Sequence, residues 1–304
     1  MESKSKHCGI VAIVGRPNTG KSTLMNNILG EKVSIVSSVA QTTRYSIRGI
    51  LTDERGQIVF IDTPGMHHPK SRMSKLLVKQ IDEAVTGCDI IIHLVDVTEA
   101  PGQEEAMIVD KIKGAKAKII LGLNKIDLKA VFLDSYMKLW EQARGKKIEE
   151  MPEEIILMPL SGLRGTNVDK LVGSIFENLP EGEMLYPPDI LSDFPQRLAI
   201  ADIIREKLFF LMHKEVPYSI AVYVDEMVPR SKKLVYIRAV ILVERETQRQ
   251  IVIGKDGAIL KEAGLKSREE IEGLLEKKVF LETFVKVKPG WQEDLGMLKQ
   301  LAFL

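Results

Sequence analysis

Gly15-Arg16-Pro17-Asn18-Thr19-Gly20-Lys21-Ser22 follows five apolar residues, Ile10-Val11-Ala12-Ile13-Val14, and precedes Thr23-Leu24-Met25-Asn26-Asn27-Ile28-Leu29. The uninterrupted apolar run reads as a buried parallel strand, and the segment after the loop as a helix. A strand, then a glycine-containing loop ending in Lys-Ser, then a helix is the order of a phosphate-binding P-loop. Backbone N–H groups of the loop and the start of the helix converge on one place and favour an anion. Gly15 and Gly20 allow the backbone to close around phosphate. Arg16, Pro17, Asn18 and Thr19 form the wall between them, and Thr23 opens the helix. Lys21 is expected at the outer phosphates, and Ser22 is expected to offer its hydroxyl to Mg²⁺.

Outward from this loop, the 304 residues allow about two domains. A chain that is 45% hydrophobic and 28% charged fits a globular protein. No apolar run reaches the ~18 residues of a membrane span, and the start of the chain lacks a signal-peptide pattern. Cys8 and Cys88 are too few for a disulfide framework, so two reduced thiols in the cytosol are expected. The net charge is +1, and residues 185–304 carry 19 Lys/Arg against 18 Asp/Glu. Bulk charge therefore gives no support to nucleic-acid binding, which would need a local patch.

Strands are expected over residues 46–52 and 57–61, joined by the turn Asp53-Glu54-Arg55-Gly56. A helix over 73–85 leads to a buried strand at 89–96. A helix at 103–113, a strand at 118–123, a helix at 131–145, a strand at 154–159 and a helix at 168–178 follow. This alternation predicts an α/β fold with a doubly wound, mostly parallel sheet, whose ligands sit at the carboxyl ends of the strands. The Pro/Gly-rich stretch from Leu179 to Pro188 marks a boundary. Domains are accordingly placed at 1–180 and 193–304, with 181–192 as the linker. The second half is expected as a smaller α+β domain. It has a helix over 196–213, strands at 219–226 and 233–243, a short helix near 257, another over 267–277, and a strand at 279–287.

Asp62-Thr63-Pro64-Gly65 ends the second strand of the hairpin. Asp62 is suited to hold Mg²⁺ opposite Ser22, and the Gly65 N–H to meet a γ-phosphate. Asn124-Lys125-Ile126-Asp127 ends a later strand. Guanine offers an N1–H and an N2 amino group that one carboxylate, Asp127, accepts together. Adenine has neither, and a desolvated carboxylate left unpaired costs roughly 1–3 kcal/mol or more. Asn124 is expected to tie this loop to the P-loop, and the Lys125 stem to pack on the ring.

Together these motifs resemble the translation-factor-type GTPases, and their arrangement resembles the Era GTPases most closely. Gln41-Thr42-Thr43-Arg44 resembles the first switch of that family, which implies that Thr43 reaches Mg²⁺. Ser161-Gly162-Leu163 occupies the place of the family's base-contacting Ser-Ala-Leu. Met66 stands where Ras-like enzymes carry a water-orienting Gln, which implies slow intrinsic hydrolysis. The resemblance includes potassium-dependent GTPases, so Asn18 is expected either to help bind K⁺ or only to stabilise the loop, and Lys21, Thr43 and Asn18 are the catalytic candidates. Further on, Ile253-Gly254-Lys255-Asp256-Gly257 resembles the Gly-x-x-Gly clamp of a KH domain, which holds single-stranded RNA. Lys261, Lys286, Lys288 and Trp291 extend the candidate RNA surface, Trp291 either as a stacking platform or as a buried residue. Asp256 departs from the usual basic or small residue of the clamp. It is expected to act as an intramolecular anion at the next helix's N-terminus, competing with RNA phosphate.

The resemblance implies a GTP- and GDP-binding switch that binds near the 3′ end of 16S ribosomal RNA on the small subunit during its assembly. A monomer in the cytoplasm is expected. The resemblance also implies peripheral association with the inner face of the membrane, although no helix shows a basic amphipathic face. Two alternatives stand beside it. In one the C-terminal domain is a protein-interaction module; in the other the nucleotide domain only stabilises an RNA-binding module.

Overall fold

The buried strands are apolar along their whole length because both faces of a parallel sheet are covered by helices. The structure is a computed structural model, and it describes residues 6–36, 43–66, 71–212 and 219–303. Two compact units meet in sequence between Asp193 and Phe194, with residues 71–76 grouping with the second.

The first unit is a six-stranded sheet in the order β2-β3-β1-β4-β5-β6. Its strands are β1 (His7–Val14), β2 (Ile47–Asp53), β3 (Gly56–Asp62), β4 (Ile90–Asp96), β5 (Lys118–Asn124) and β6 (Ile155–Pro159). Only the edge pair β2–β3 is antiparallel, closed by the expected turn. The helices are α1 (Lys21–Leu29), α2 (Arg72–Thr86), α3 (Gln103–Ile112), α4 (Leu133–Arg144) and α5 (Val168–Asn178). Every residue of β3 and β4 is buried. On one face Ile91, Ile119 and Leu121 pack with Ile108 of α3 and with Tyr136 and Trp140 of α4. After β1 the chain proceeds toward β3, and after β4 toward β5, so the strand order reverses between β1 and β4. A crevice opens at the carboxyl ends of such a pair, and the P-loop lies there.

Residues 181–192, expected as the linker, and Asp193 after them bond to the first unit. Gly182 N donates to Lys6 O at 2.9 Å, and the N–H groups of Leu185 and Tyr186 donate to Gln57 Oε1 at 2.8 and 2.9 Å. Gln57 Nε2 returns a bond to Tyr186 O at 2.9 Å. Ile50 N donates to Leu191 O at 2.8 Å, and Arg48 pairs with Asp193 at 2.9 Å. The segment is a strap along β2 and β3. Prolines and glycines mark where regular structure stops, not where packing stops.

The second unit runs α6 (Gln196–Leu211), β7 (Ala221–Ser231), β8 (Leu234–Val243), α7 (Glu246–Ile253), α8 (Ala258–Leu275), β9 (Lys278–Val287) and α9 (Leu295–Gln300). The hairpin β7–β8 is antiparallel, and β9 returns parallel to β8 through the two crossover helices. Ile200, Ile204 and Leu208 of α6 pack with Ile237 and Ile241 of β8, Val252 of α7 and Ile271 of α8. The two short helices expected after residue 257 are one helix. Gly264 weakens it, but Ala263, Ser267 and Ile271 share one buried stripe that holds it together. The expected helix to 213 is described only to Leu211, residue 213 lying outside the described residues.

Candidate functional site

Where β1 ends, Asn18 (φ 64°) and Gly20 (φ 97°) adopt left-handed backbone and fold the loop back on itself. Lys21 Nζ closes it from inside, donating to Gly15 O at 3.0 Å and Arg16 O at 2.8 Å. Thr19 Oγ1 donates to the same Arg16 carbonyl at 3.1 Å. Burial lowers the Lys21 pKa to about 8, against the opposing pull of Asp62 and Glu105. The Arg16 guanidinium anchors the loop to α3 and its approach, pairing with Glu105 at 2.9 Å and Glu99 at 2.8 Å. Glu105 is buried, and neither acid has a motif that marks it in the sequence.

Beside Lys21, Ser22 Oγ donates to Asp62 Oδ2 at 2.6 Å and lies 2.9 Å from Thr43 Oγ1. Burial raises the Asp62 pKa, opposed by the Ser22 and Ser34 hydroxyls and the Lys21 charge. Asp62 Oδ1 is buried with no hydrogen-bond partner among the described residues. Two hydroxyl oxygens and a carboxylate with an unused oxygen form a donor set for a hard divalent cation. Gln41 and Thr42 lie outside the described residues.

After Asp62, Thr63 Oγ1 donates to Ile13 O at 2.8 Å and Met66 N to Gly15 O at 3.2 Å. Pro64 is buried between them. A Cβ on Gly65 would lie 2.8 Å from Pro17 Cα, so only glycine lets this turn approach the P-loop so closely. Met66 packs into the core beside Val14, Ile81 and Val95. Its thioether side chain faces apolar groups.

Asn124 joins three loops. Its Nδ2 donates to Thr19 O at 2.7 Å, and its Oδ1 accepts from Gly162 N at 2.8 Å. Lys125, in left-handed backbone at φ 68°, extends its ammonium to Asp96 Oδ2 at 2.5 Å. Burial works against the Asp96 charge, but its bonds from Lys125 and Thr98 hold its pKa below the usual range. Ser161 is buried, and its Oγ accepts from Arg164 N at 3.0 Å. Asp127 and Leu163 are exposed, and Thr23 is half-buried on α1. Asp96 belongs to this loop cluster, a role its place at the end of β4 hints at and no motif marks.

In the second unit the Gly-x-x-Gly loop joins α7 to α8. Gly254 (φ 76°, ψ 172°) takes a conformation that excludes side chains, and a Cβ there would lie 2.7 Å from Ile259. Lys255 and Asp256 are exposed, and Asp256 is left-handed at φ 52°. Gly257 occupies the N-cap of α8 without a side-chain hydrogen bond, and Asp256, the expected anion, precedes it and is exposed. The first-turn amides therefore have no side-chain cap. Lys261 is exposed on that turn, and Lys286 is exposed on β9. Lys288 is engaged by Asp294 at 2.7 Å. Of the two expectations for Trp291, burial is the one observed. The ring is fully buried, its Nε1 donates to Ser219 O at 3.1 Å, and it offers no stacking face.

Comparison with known proteins agrees with this two-unit division. The family described as 50S ribosome-binding GTPase matches residues 10–125, and the KH domain family matches residues 215–292. The chain is 46% identical to GTPase Era of Geobacter sp. (strain M21) over 311 residues, covering 100% of both. It is 44% identical to GTPase Era of Trichlorobacter lovleyi over 304 residues, again covering 100% of both. A crystal structure of Era in complex with MgGDPNP and nucleotides 1506–1542 of 16S ribosomal RNA superposes with a TM-score of 0.89. That chain is 38% identical, and the match covers 98% of this chain and 99% of the other. A point variant of Aquifex aeolicus Era bound to GDP and AlF4⁻ matches with a TM-score of 0.88 at the same identity and coverage. With relatives this similar along its full length, the chain belongs to the Era family of GTPases.

Proposed function

We propose that this GTPase is a guanine-nucleotide switch that binds single-stranded RNA at the 3′ end of 16S ribosomal RNA and assists assembly of the small subunit. The observation that carries the nucleotide half is the convergence of Ser22, Thr43 and Asp62 beneath the P-loop, with Asp62 Oδ1 unused. Ser22 and Thr43 would hold Mg²⁺ with Asp62, directly or through water. The ion would supply positive charge against the β- and γ-phosphates. With nucleotide bound, Lys21 would turn from the Gly15 and Arg16 carbonyls to the same phosphates, and the Gly65 N–H would meet the γ-phosphate. Asn18 places a side-chain oxygen at the loop, where K⁺ would add charge that an arginine otherwise brings. Asn124 sets the spacing between P-loop and base loop, the Lys125 stem covers the base, and Asp127 reads it.

The RNA half is supported by the uncapped first turn of α8 behind Gly254-Lys255-Asp256-Gly257, with Lys261 beside it. A helix N-terminus that no side chain caps can receive a backbone phosphate. The 16S fragment held by the Era structure above supports the choice of RNA. A monomeric, cytoplasmic protein with peripheral membrane contact is supported by the family resemblance. No helix among the described residues is long and apolar enough to cross a membrane.

Base reading is tested by Asp127→Asn. A carbonyl at C2 of xanthine suits an amide donor where the guanine amino group does not, so hydrolysis should shift from GTP toward XTP. Competition assays with GTP, XTP and ATP measure it, and unchanged preference for GTP refutes the role of Asp127.

A further inference from the structure

Asp62 is gripped from two sides. Besides Ser22, Ser34 Oγ donates to the same oxygen, Asp62 Oδ2, at 2.9 Å. Ser34 lies in the segment after α1, carries no motif, and is 1% exposed. Its position is imposed by Asn26. Asn26 Oδ1 accepts from Val33 N at 3.0 Å and Ser34 N at 2.9 Å, and Asn26 Nδ2 donates to Ser34 O at 2.7 Å. One amide group thus satisfies two backbone donors and one backbone acceptor, as a neighbouring strand would. Asn26 also sits one helical turn beyond Ser22 on α1, so the helix itself fixes the spacing between the two seryl hydroxyls.

We propose that Asn26 and Ser34 are positioning residues for the metal site, with Asn26 clamping residues 33–34 and Ser34 locking the Asp62 carboxylate. This rests on the assignment of Ser22, Thr43 and Asp62 to Mg²⁺ made above. With Ser22 as its only donor, the carboxylate would turn about its terminal bond and exchange its two oxygens. A second donor on Oδ2 stops that rotation and leaves Oδ1 for the cation or its water. Ser22 keeps its proton on Asp62, so its lone pairs stay available to the ion. Partners that orient a metal ligand are commonly worth 10–100-fold in metal affinity.

The test is release of a fluorescent GDP analogue from the full-length protein across a Mg²⁺ titration and in EDTA. Ser34→Ala and Asn26→Ala should each require on the order of tenfold more Mg²⁺ for half-maximal slowing of release. In EDTA both should match wild type, because neither side chain contacts the nucleotide. Ser34→Thr keeps the hydroxyl and should restore the wild-type Mg²⁺ requirement. A wild-type Mg²⁺ requirement in both Ala variants overturns the proposal. So does a release rate raised by one factor at every Mg²⁺ concentration and in EDTA, which marks a merely structural role. A wild-type protein indifferent to Mg²⁺ overturns the metal assignment itself, a separate failure.

Discussion

His93 lies on β4 beside the P-loop strand, wholly buried, accepting at Nδ1 from Trp140 Nε1 at 3.2 Å. That bond places the ring proton on Nε2, which has no partner among the described residues. Burial, with the Lys21 charge adding to it, lowers the His93 pKa from 6.5 to about 3. The unfolded chain therefore takes up a proton below pH 6.5 that the folded chain refuses until about pH 3. Stability falls as pH drops through that window, by about 2 kcal/mol between pH 7 and pH 5. Denaturant unfolding should show wild type losing that much more than His93→Gln over the same interval; equal losses exclude His93 as the source. Asn18 makes the other residue-scale prediction. If its side-chain oxygen helps hold K⁺ at the phosphates, hydrolysis is faster in K⁺ than in Na⁺, and Asn18→Ala removes the difference. Equal wild-type rates in the two ions end that role.

At the scale of elements, the parallel strands are the most legible because burial on both faces leaves an unbroken apolar run, as in Ile90-Ile91-Ile92. The motif residues at their ends are legible for a related reason: phosphate, metal and base each demand one chemistry at one spacing. Ser34, Asp96 and Glu105 are not, because each supports another side chain across a long sequence separation; nor is Asn26, which clamps the backbone of residues 33–34 in irregular chain that no periodic pattern records. α7 leaves little signal because it is short and buries only Val252 fully. α8 reads as two helices because Gly264 obscures a stripe that only the packed sheet makes decisive. The sequence suggests Asp256 as an anion near the N-terminus of α8, and in the structure it is left-handed and exposed just before the Gly257 N-cap. With no cap bond to lose, Asp256→Lys removes an anion beside the clamp and adds a cation. It should tighten single-stranded RNA binding at low salt and steepen the salt dependence by roughly one ion. Binding isotherms at several salt concentrations measure it, and an unchanged slope means that no phosphate passes residue 256.

On the scale of the whole molecule, the division into an α/β nucleotide unit and an α+β unit follows from a change of pattern near residue 190. The strap over 181–193 does not, because most of its bonds run from its backbone to a buried glutamine and an edge strand. What defines the molecule is a nucleotide site joined to an RNA clamp in one chain, and Gly257→Asp addresses that union. Gly257 is left-handed at φ 76°, a backbone that Asp adopts at some strain, and a Cβ there meets nothing within 4 Å. The substitution thus adds charge at the clamp without disturbing packing. The decisive measurement is the affinity of the full-length protein, with a non-hydrolysable GTP analogue, for a single-stranded RNA matching the 3′ end of 16S ribosomal RNA. Gly257→Asp should weaken that affinity by roughly tenfold at low salt while leaving GTP hydrolysis in the absence of RNA at the wild-type rate. Undiminished RNA affinity in the variant, with hydrolysis intact, would contradict the clamp and make the C-terminal unit a protein-interaction module.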